Sequence, residues 1–386
     1  SVPARCRGIC SIRIRTSGAL TQPHPSTTYS TYSKKETPVI KYLGSKRKLL
    51  GPIAAVFADL APGTRVLDLF SGTSRVSQAL KQQGLYVCSN DHNLYAHTIA
   101  RCYIEADAQS VLPDITEILK ELETTKPEPG WFTRTYCEEA RFFHPDNGAI
   151  IEGMRNRIDK LDLAEPIRSI VLVALMEAAD RVDSTTGLQM AYLKKWAARA
   201  HKPLQLRVPE MLNGTGSATC LDAIVAAKEF SGSAAYLDPP YNQHSYRSNY
   251  HIWETLIRWD QPEVYGVARK RIDCKTEKSD FNSRRRILSA FSDTIDSLNV
   301  DRIVVSFNNE GYLHRDEIEK ILSTRGSVHT VELDHKRYVG AQIGIHNQSG
   351  KKVGAVSHLR NKELLFVVGQ GAAQTAQAAR SVQTNV

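Results

Sequence analysis

The residues best suited to chemistry in this 386-residue chain stand in one short run, Ala235 to Asn242, which reads AYLDPPYN. An apolar strand is stopped there by the carboxylate of Asp238, by Pro239 and Pro240, and by the aromatic Tyr241. Prolines have a fixed φ and no N–H to donate, so the carbonyls beside them are held rigid and free to accept. A carboxylate and a carbonyl converging on one amine suit a particular task. The exocyclic amine of a purine is a poor nucleophile because its lone pair is delocalised into the ring. Two acceptors on its protons would localise that pair and aim it at an electrophilic methyl group. Tyr241 would then stack on the base once it is turned out of the duplex. The plainer reading is a proline-rich turn after an edge strand.

A second run, Val66 to Gly72, reads VLDLFSG: an apolar strand, an acid, then a glycine turn before a helix starting near Thr73. Ligands of doubly wound folds bind at the carboxyl ends of strands, where a glycine lets backbone approach them. Asp68 and Gly72 are therefore expected to line a nucleotide-like pocket, and the lack of a full GxGxxG argues against a dinucleotide. The next strand ends in Ser89, Asn90 and Asp91. An acid at that tip either meets ribose hydroxyls or caps the helix beginning near Leu94.

The elements that must position these groups are legible in the hydrophobic pattern. Short β-rich runs (Thr64 to Leu69, Tyr86 to Ser89, Ala234 to Leu237, Asp301 to Phe307, His329 to Leu333 and Glu363 to Val368) alternate with helical patterns at Lys46 to Leu60, Ser74 to Gln83 and Leu94 to Glu105. Such alternation predicts an α/β fold, a largely parallel sheet with helices on both faces. From about Ala106 to Leu212 the pattern is helical with almost no strand signal, which reads as an insertion. The expected organisation is a basic, disordered tail over 1–36, a catalytic domain over 37–105 and 213–370, the helical insertion over 106–212, and a loose Ala-, Gln- and Thr-rich tail over 371–386.

Fifty Lys and Arg against 41 Asp and Glu leave a formal charge of +9, the balance of a protein that sits on a polyanion. From Arg269 to Arg286 eight cations stand against three acids. Arg269, Lys270, Arg271, Arg284, Arg285 and Arg286 are the expected phosphate contacts, which position DNA rather than read it; otherwise the run is a solvated loop. The polar stretch Lys336 to Arg360, with neighbouring His335, Arg337, Gln342, His346, Asn347 and Gln348, could reach base edges or close over the site. Seven scattered cysteines without a CxxC pair point to reduced thiols in a cytosol. No Pro-Cys pair is present to attack a cytosine carbon, and twelve histidines show no HExxH spacing, so no metal is expected. The apolar run Ile170 to Met176 is far short of the roughly 20 residues of a membrane span.

DPPY after a strand, the FSG turn and the segment KYLGSKRKLL (Lys41 to Leu50) together resemble the Dam-like class of adenine-N6 DNA methyltransferases. DPPYNQHSYRSNYHIWETL and the later SFNNEGYL are more similar still to its type II restriction-modification members. The resemblance covers roughly residues 38 to 369. It implies a Rossmann-like methyltransferase fold with a seven-stranded, mostly parallel sheet, and S-adenosylmethionine as methyl donor. It implies that Asp238 and the Pro239 carbonyl meet the adenine amine, with Tyr241 on its face. Tyr42, Gly44, Lys46, Asp68, Phe70 and Gly72 would bind the donor, Lys46 at its methionine carboxylate and Phe70 near its sulfonium. Asp222 fits the acid that holds the donor's adenine. The turn reads FSGTSR where a second glycine is common, which puts the backbone at Ser74 in question. Double-stranded DNA is the expected partner, with a cognate restriction endonuclease acting separately in a bacterial cytoplasm. The rival readings are an RNA exocyclic-amine methyltransferase and a DNA-binding protein that keeps the fold without turnover.

Overall fold

The computed structural model describes residues 40–44, 46–309, 311–336, 345–346, 352–354 and 360–383. The basic tail over 1–36 and residues 337, 342, 347 and 348 of the polar stretch lie outside the described residues. Seven strands form the central sheet: β1 Arg65–Asp68, β2 Tyr86–Asn90, β3 Ser217–Thr219, β4 Ala234–Leu237, β5 Arg302–Asn308, β6 Val328–Lys336 and β7 Arg360–Gly369. Their order is β3-β2-β1-β4-β5-β7-β6. The pairs up to β4–β5 are parallel, and β7 runs antiparallel to both of its neighbours. The order turns outward in both directions from β1 and β4, and this crevice is where such sheets bind ligands.

Alternation along each strand feeds two cores, as a period of two requires. Val66, Tyr236, Val304 and Leu365 face one core. Leu67, Ala235, Val305 and Phe366 face the other. Every residue of β4 and β5 is buried, which is why Ala234–Leu237 and Ile303–Val305 read as continuous apolar runs rather than alternating ones.

The segment 106–212 holds the helices Ala108–Glu123, Pro145–Lys160 and Ile167–Val182. Their apolar faces, including Ile115, Ile151 and Leu172, join the same core as Val66 and Tyr236. Helix Ile167–Val182 is buried nearly all round, so these helices share the sheet's core rather than enclosing one of their own. Among the described residues no helix is long and apolar enough to cross a membrane.

The expected loose C-terminal tail is corrected by a helix, Ala372–Gln383, packed on the short helix Leu50–Ala55. Ala372, Ala376 and Ala379 are buried in the core. Their spacing puts three methyl groups on one face, and small side chains let two helices approach closely. A hydrophobicity reading misses such a helix because alanine contributes so little area. Residues 384–386 lie outside the described residues.

Candidate active site

The carboxyl ends of β1, β2 and β4 open into a cleft lined by Asp68, Gly72, Asp91 and Asp238 together with Tyr42, Gly44 and Lys46. A neighbouring cleft is lined by Asp222, Phe281 and Arg247. Phe70 and His92 line both, so the two are joined across these side chains. Phe70 is held edge-on to Phe281, with ring centroids 5.0 Å apart.

The turn after β1 is built by Gly72 and Ser74. Gly72 has a φ of +50°, and a Cβ there would stand 3.2 Å from the Tyr42 hydroxyl. Ser74 takes φ 55° and ψ 27°, the left-handed conformation that a glycine would adopt without strain. This is the position where the sequence departs from the pattern it resembles, and the backbone there is left-handed with a side chain in place. The Ser74 hydroxyl is buried and makes no hydrogen bond among the described residues.

Asp68 is 1% exposed. Its Oδ2 accepts from the Ser77 hydroxyl at 2.6 Å, while Oδ1 has no partner among the described residues. Burial pushes its carboxyl up to about 7, with Asp238 and Asp91 adding to the rise and the Ser77 hydrogen bond opposing it. Asp91 accepts from the Gly72 N–H at 3.0 Å through Oδ2, and from the Asn93 N–H at 2.9 Å and side-chain amide at 3.0 Å through Oδ1. The helix cap is Asn93 rather than Asp91. Asp91 instead ties the glycine turn to the next helix, and a carboxylate retains lone pairs for a ligand.

Lys46 departs from expectation. It is buried, and its ammonium bridges Asp238 Oδ1, at 3.0 Å, and Glu363 on β7. Burial alone would lower its pKa, but the two carboxylates raise it well above the usual lysine range. The expected contact with a methionine carboxylate would therefore bring a third anion to a cation that already meets two. Asp238 is pushed up to about 6 by burial, with Lys46 opposing and Glu363 adding to the rise.

Pro240 lines the cleft beside Asp238, while Pro239 is buried. Tyr241 is half-buried against Phe307, with centroids 5.9 Å apart, and its carbonyl accepts from the Tyr312 N–H at 2.8 Å. Tyr42 stacks against both Tyr246 and Tyr250, at 5.2 and 4.6 Å. Asp222 caps helix Ala223–Glu229, its Oδ1 accepting from the Ile224 N–H at 2.9 Å, and stands in the second cleft rather than the first. His92, Tyr246 and Glu363 escaped the sequence reading; only their spatial neighbours mark them.

The basic run does not act as one patch. Arg271 is 2% exposed and locked to Asp260 through two contacts of 2.7 Å and to Asp273 at 2.9 Å, so it is a structural clamp and not a phosphate contact. The reason is local: its strand Lys270–Arg271 is packed on helix His251–Arg258, with Asp260 in the loop before it and Asp273 opening the short helix Asp273–Thr276 after it. Arg269 reaches Glu139 at 3.4 Å, Lys270 is half-buried, and Arg286 pairs with Asp280 at 2.8 Å. Arg284 and Arg285 are exposed. Among the described residues no group of three His, Cys, Asp or Glu side chains could hold a metal ion.

An acid at the rim of a cleft, a buried and half-satisfied acid within it and a tight glycine turn make a site for a polar, cation-bearing ligand beside an acceptor. Comparison with known proteins gives the family. Residues 42–321 match the family model described as D12 class N6 adenine-specific DNA methyltransferase. The chain is 27% identical over 337 residues to type II methyltransferase M.NlaIII of Neisseria lactamica, covering 84% of this chain and 99% of that one. It is 30% identical over 317 residues to type II methyltransferase M.FokI of Planomicrobium okeanokoites, covering 76% of this chain but only 48% of the relative. Over 306 residues it is 25% identical to type II methyltransferase M.CviAII of Paramecium bursaria Chlorella virus 1, covering 78% and 92%.

Proposed function

Because the chain belongs to the D12 class of N6 adenine-specific DNA methyltransferases, we propose that it is the modification methylase of a type II restriction-modification system. It methylates N6 of adenine within a short sequence of double-stranded DNA, in a bacterial cytoplasm and with a separate cognate endonuclease. The observation that carries this reading is Asp238, opening at the end of β4 into the cleft that Asp68 lines.

The cleft suits S-adenosylmethionine. A buried carboxylate oxygen without a partner, Asp68 Oδ1, fits the donor's ammonium, and the Gly72 turn admits backbone where a Cβ would crowd Tyr42. Asp91 would take the ribose, Phe70 the flank of the sulfonium, Tyr42 and Gly44 the methionine end, and Asp222 the adenine in the adjoining cleft. When bound, the donor supplies a methyl group activated by positive sulfur, which the amine nitrogen takes as the carbon–sulfur bond breaks. Asp238 and the Pro239 carbonyl accept hydrogen bonds from the amine's two N–H groups and keep its lone pair on N6. The proton then in excess on N6 leaves through Asp238. Tyr241 swings from Phe307 onto the face of the extruded base.

Arg284, Arg285 and Arg286, with Arg269 and Lys270, would neutralise phosphates, and the 106–212 helices would clamp or read the duplex. The test is incubation with methyl-labelled S-adenosylmethionine and unmethylated genomic DNA, followed by nucleoside analysis and sequencing. N6-methyladenine in one short motif is the expected result. Label in RNA and none in DNA would hand the function to the RNA reading.

A further inference from the structure

A buried ammonium needs acceptors to replace its water, and Lys46 has them from two strands: Asp238 after β4 and Glu363 within β7. Glu363 is itself fixed. It lies opposite Asn308 in the β5–β7 register, its Oε1 accepts from the Ser306 hydroxyl at 2.7 Å, and its Oε2 from the Asn308 amide at 3.5 Å. Ser306 and Asn308 are two apart on one strand and so face the same way. Two carboxylates on one ammonium leave one negative charge. The Asp238 side chain is 21% exposed and that of Glu363 5%, so the surplus charge faces the cleft through Asp238.

We infer that Glu363 is a positioning residue for methyl transfer: through Lys46 it holds Asp238 turned into the cleft as an ionised acceptor. This rests on the role of Asp238 proposed above. The titratable groups that face Asp238 are Lys46 from the first turn, Glu363 from β7, Asp68 from β1, Tyr236 from its own strand and Tyr246 from the following helix. Lys46 is the cation among them. By sharing the ammonium that already meets Asp238 Oδ1, Glu363 draws off part of its charge, so that the cation competes less with the substrate amine for the carboxylate. By adding a like charge, it keeps Asp238 basic enough to accept. Lys46 in turn prevents the two acids from sharing a proton.

The experiment compares wild type with Glu363→Gln, Lys46→Gln and the double variant. Single-turnover methyl transfer is followed across pH, with donor and DNA affinities measured alongside. The Asp238 carboxyl is titrated by carbon-13 NMR in the full chain, its signal assigned by its loss in Asp238→Asn. Glu363→Gln should slow transfer about tenfold with affinities unchanged within about twofold. It should also move both the acid limb of the rate and the Asp238 titration to lower pH by about half a unit or more. Lys46→Gln should move both upward, and the double variant should be no slower than Lys46→Gln. If Glu363→Gln does not fold, Ser306→Ala, which leaves every charge in place, should give a smaller loss of rate; no loss would overturn the inference. An active enzyme whose Asp238 titration ignores Glu363 also overturns it. A chain inactive on DNA whose Asp238 still responds to Glu363 upholds the coupling and sinks the functional reading instead.

Discussion

Replacing Asp68 by Asn should make the donor-free protein more stable above neutral pH while weakening its grip on S-adenosylmethionine. Asn keeps an oxygen for the Ser77 hydroxyl and places a neutral amide where Oδ1 now stands without a partner. The magnitude follows from the carboxyl's displacement, from an ordinary value of 3.8 to about 7. The unfolded chain gives up this proton first. Between about pH 4 and pH 7 it therefore binds fewer protons than the native state, and native stability falls as pH rises. A displacement of about three units corresponds to at most about 4 kcal/mol, and solvent reaching the cleft reduces the expected difference to about 2 kcal/mol. Urea unfolding at pH 8 should thus favour the Asn variant by about that amount, the curves converging below about pH 4. Adding S-adenosylmethionine should reverse the order, because a cation beside Asp68 stabilises only the carboxylate. Wild-type stability that stays flat from pH 5 to pH 8, or an Asn variant that is the weaker at pH 8, would refute the account of Asp68 as a buried charge awaiting a cation.

Asp238→Ala should lower single-turnover methyl transfer by about 100-fold or more while duplex binding in a filter assay stays largely intact; substantial turnover would remove Asp238 from the mechanism. Neutralising Arg284 and Arg285 should weaken DNA binding and flatten its salt dependence by about one logarithmic slope unit for each phosphate no longer neutralised; an unchanged slope would return them to solvent. Arg271→Ala should instead destabilise the fold by about 3 kcal/mol in urea unfolding, since Asp260 and Asp273 lose their partner. Ser74→Gly should change stability by no more than about 1 kcal/mol, relief of the left-handed strain being offset by chain entropy. Ala376→Leu should lower stability by about 1 to 3 kcal/mol in thermal unfolding, and no effect would mean that the C-terminal helix is not docked.

The strands that carry the site were legible because they are short, apolar and stopped by punctuation. Ala234–Leu237 matches the sequence expectation residue for residue, and β1, β2 and β5 differ from it by a residue or two at their ends. Strand β3 was not, since Ser217–Thr219 has three small or polar residues at a sheet edge and no apolar run to announce it. Helix Leu94 to Glu105 was expected as one piece and is an α-helix to Ala100 followed by a wider π-turn, a change in hydrogen bonding that leaves little trace in composition. Asp68, Asp91 and Asp238 line one cleft because each stands at the carboxyl end of a parallel strand, with Gly72 in the turn after β1, where geometry brings such ends together. Lys46 was assigned by its sequence neighbours, but its partner lies 317 positions away. Arg271 read as one cation in a run because a charge count does not reveal which acids fold back onto it.

That separation of 317 positions also orders events in time. A ribosome at about 5 to 20 residues per second releases the AYLDPPYN run long before Glu363. A nascent chain can therefore display the whole motif while the ammonium beside it lacks its second anion. Until β7 inserts, the edge of β5 is open and its backbone groups are unpaired. Strand β7 thus closes the sheet and brings Glu363 to Lys46 in a single event. On the role proposed for Glu363, competence for methyl transfer would arrive with the finished fold rather than with the motif, and an unfinished chain would carry the signature without the chemistry.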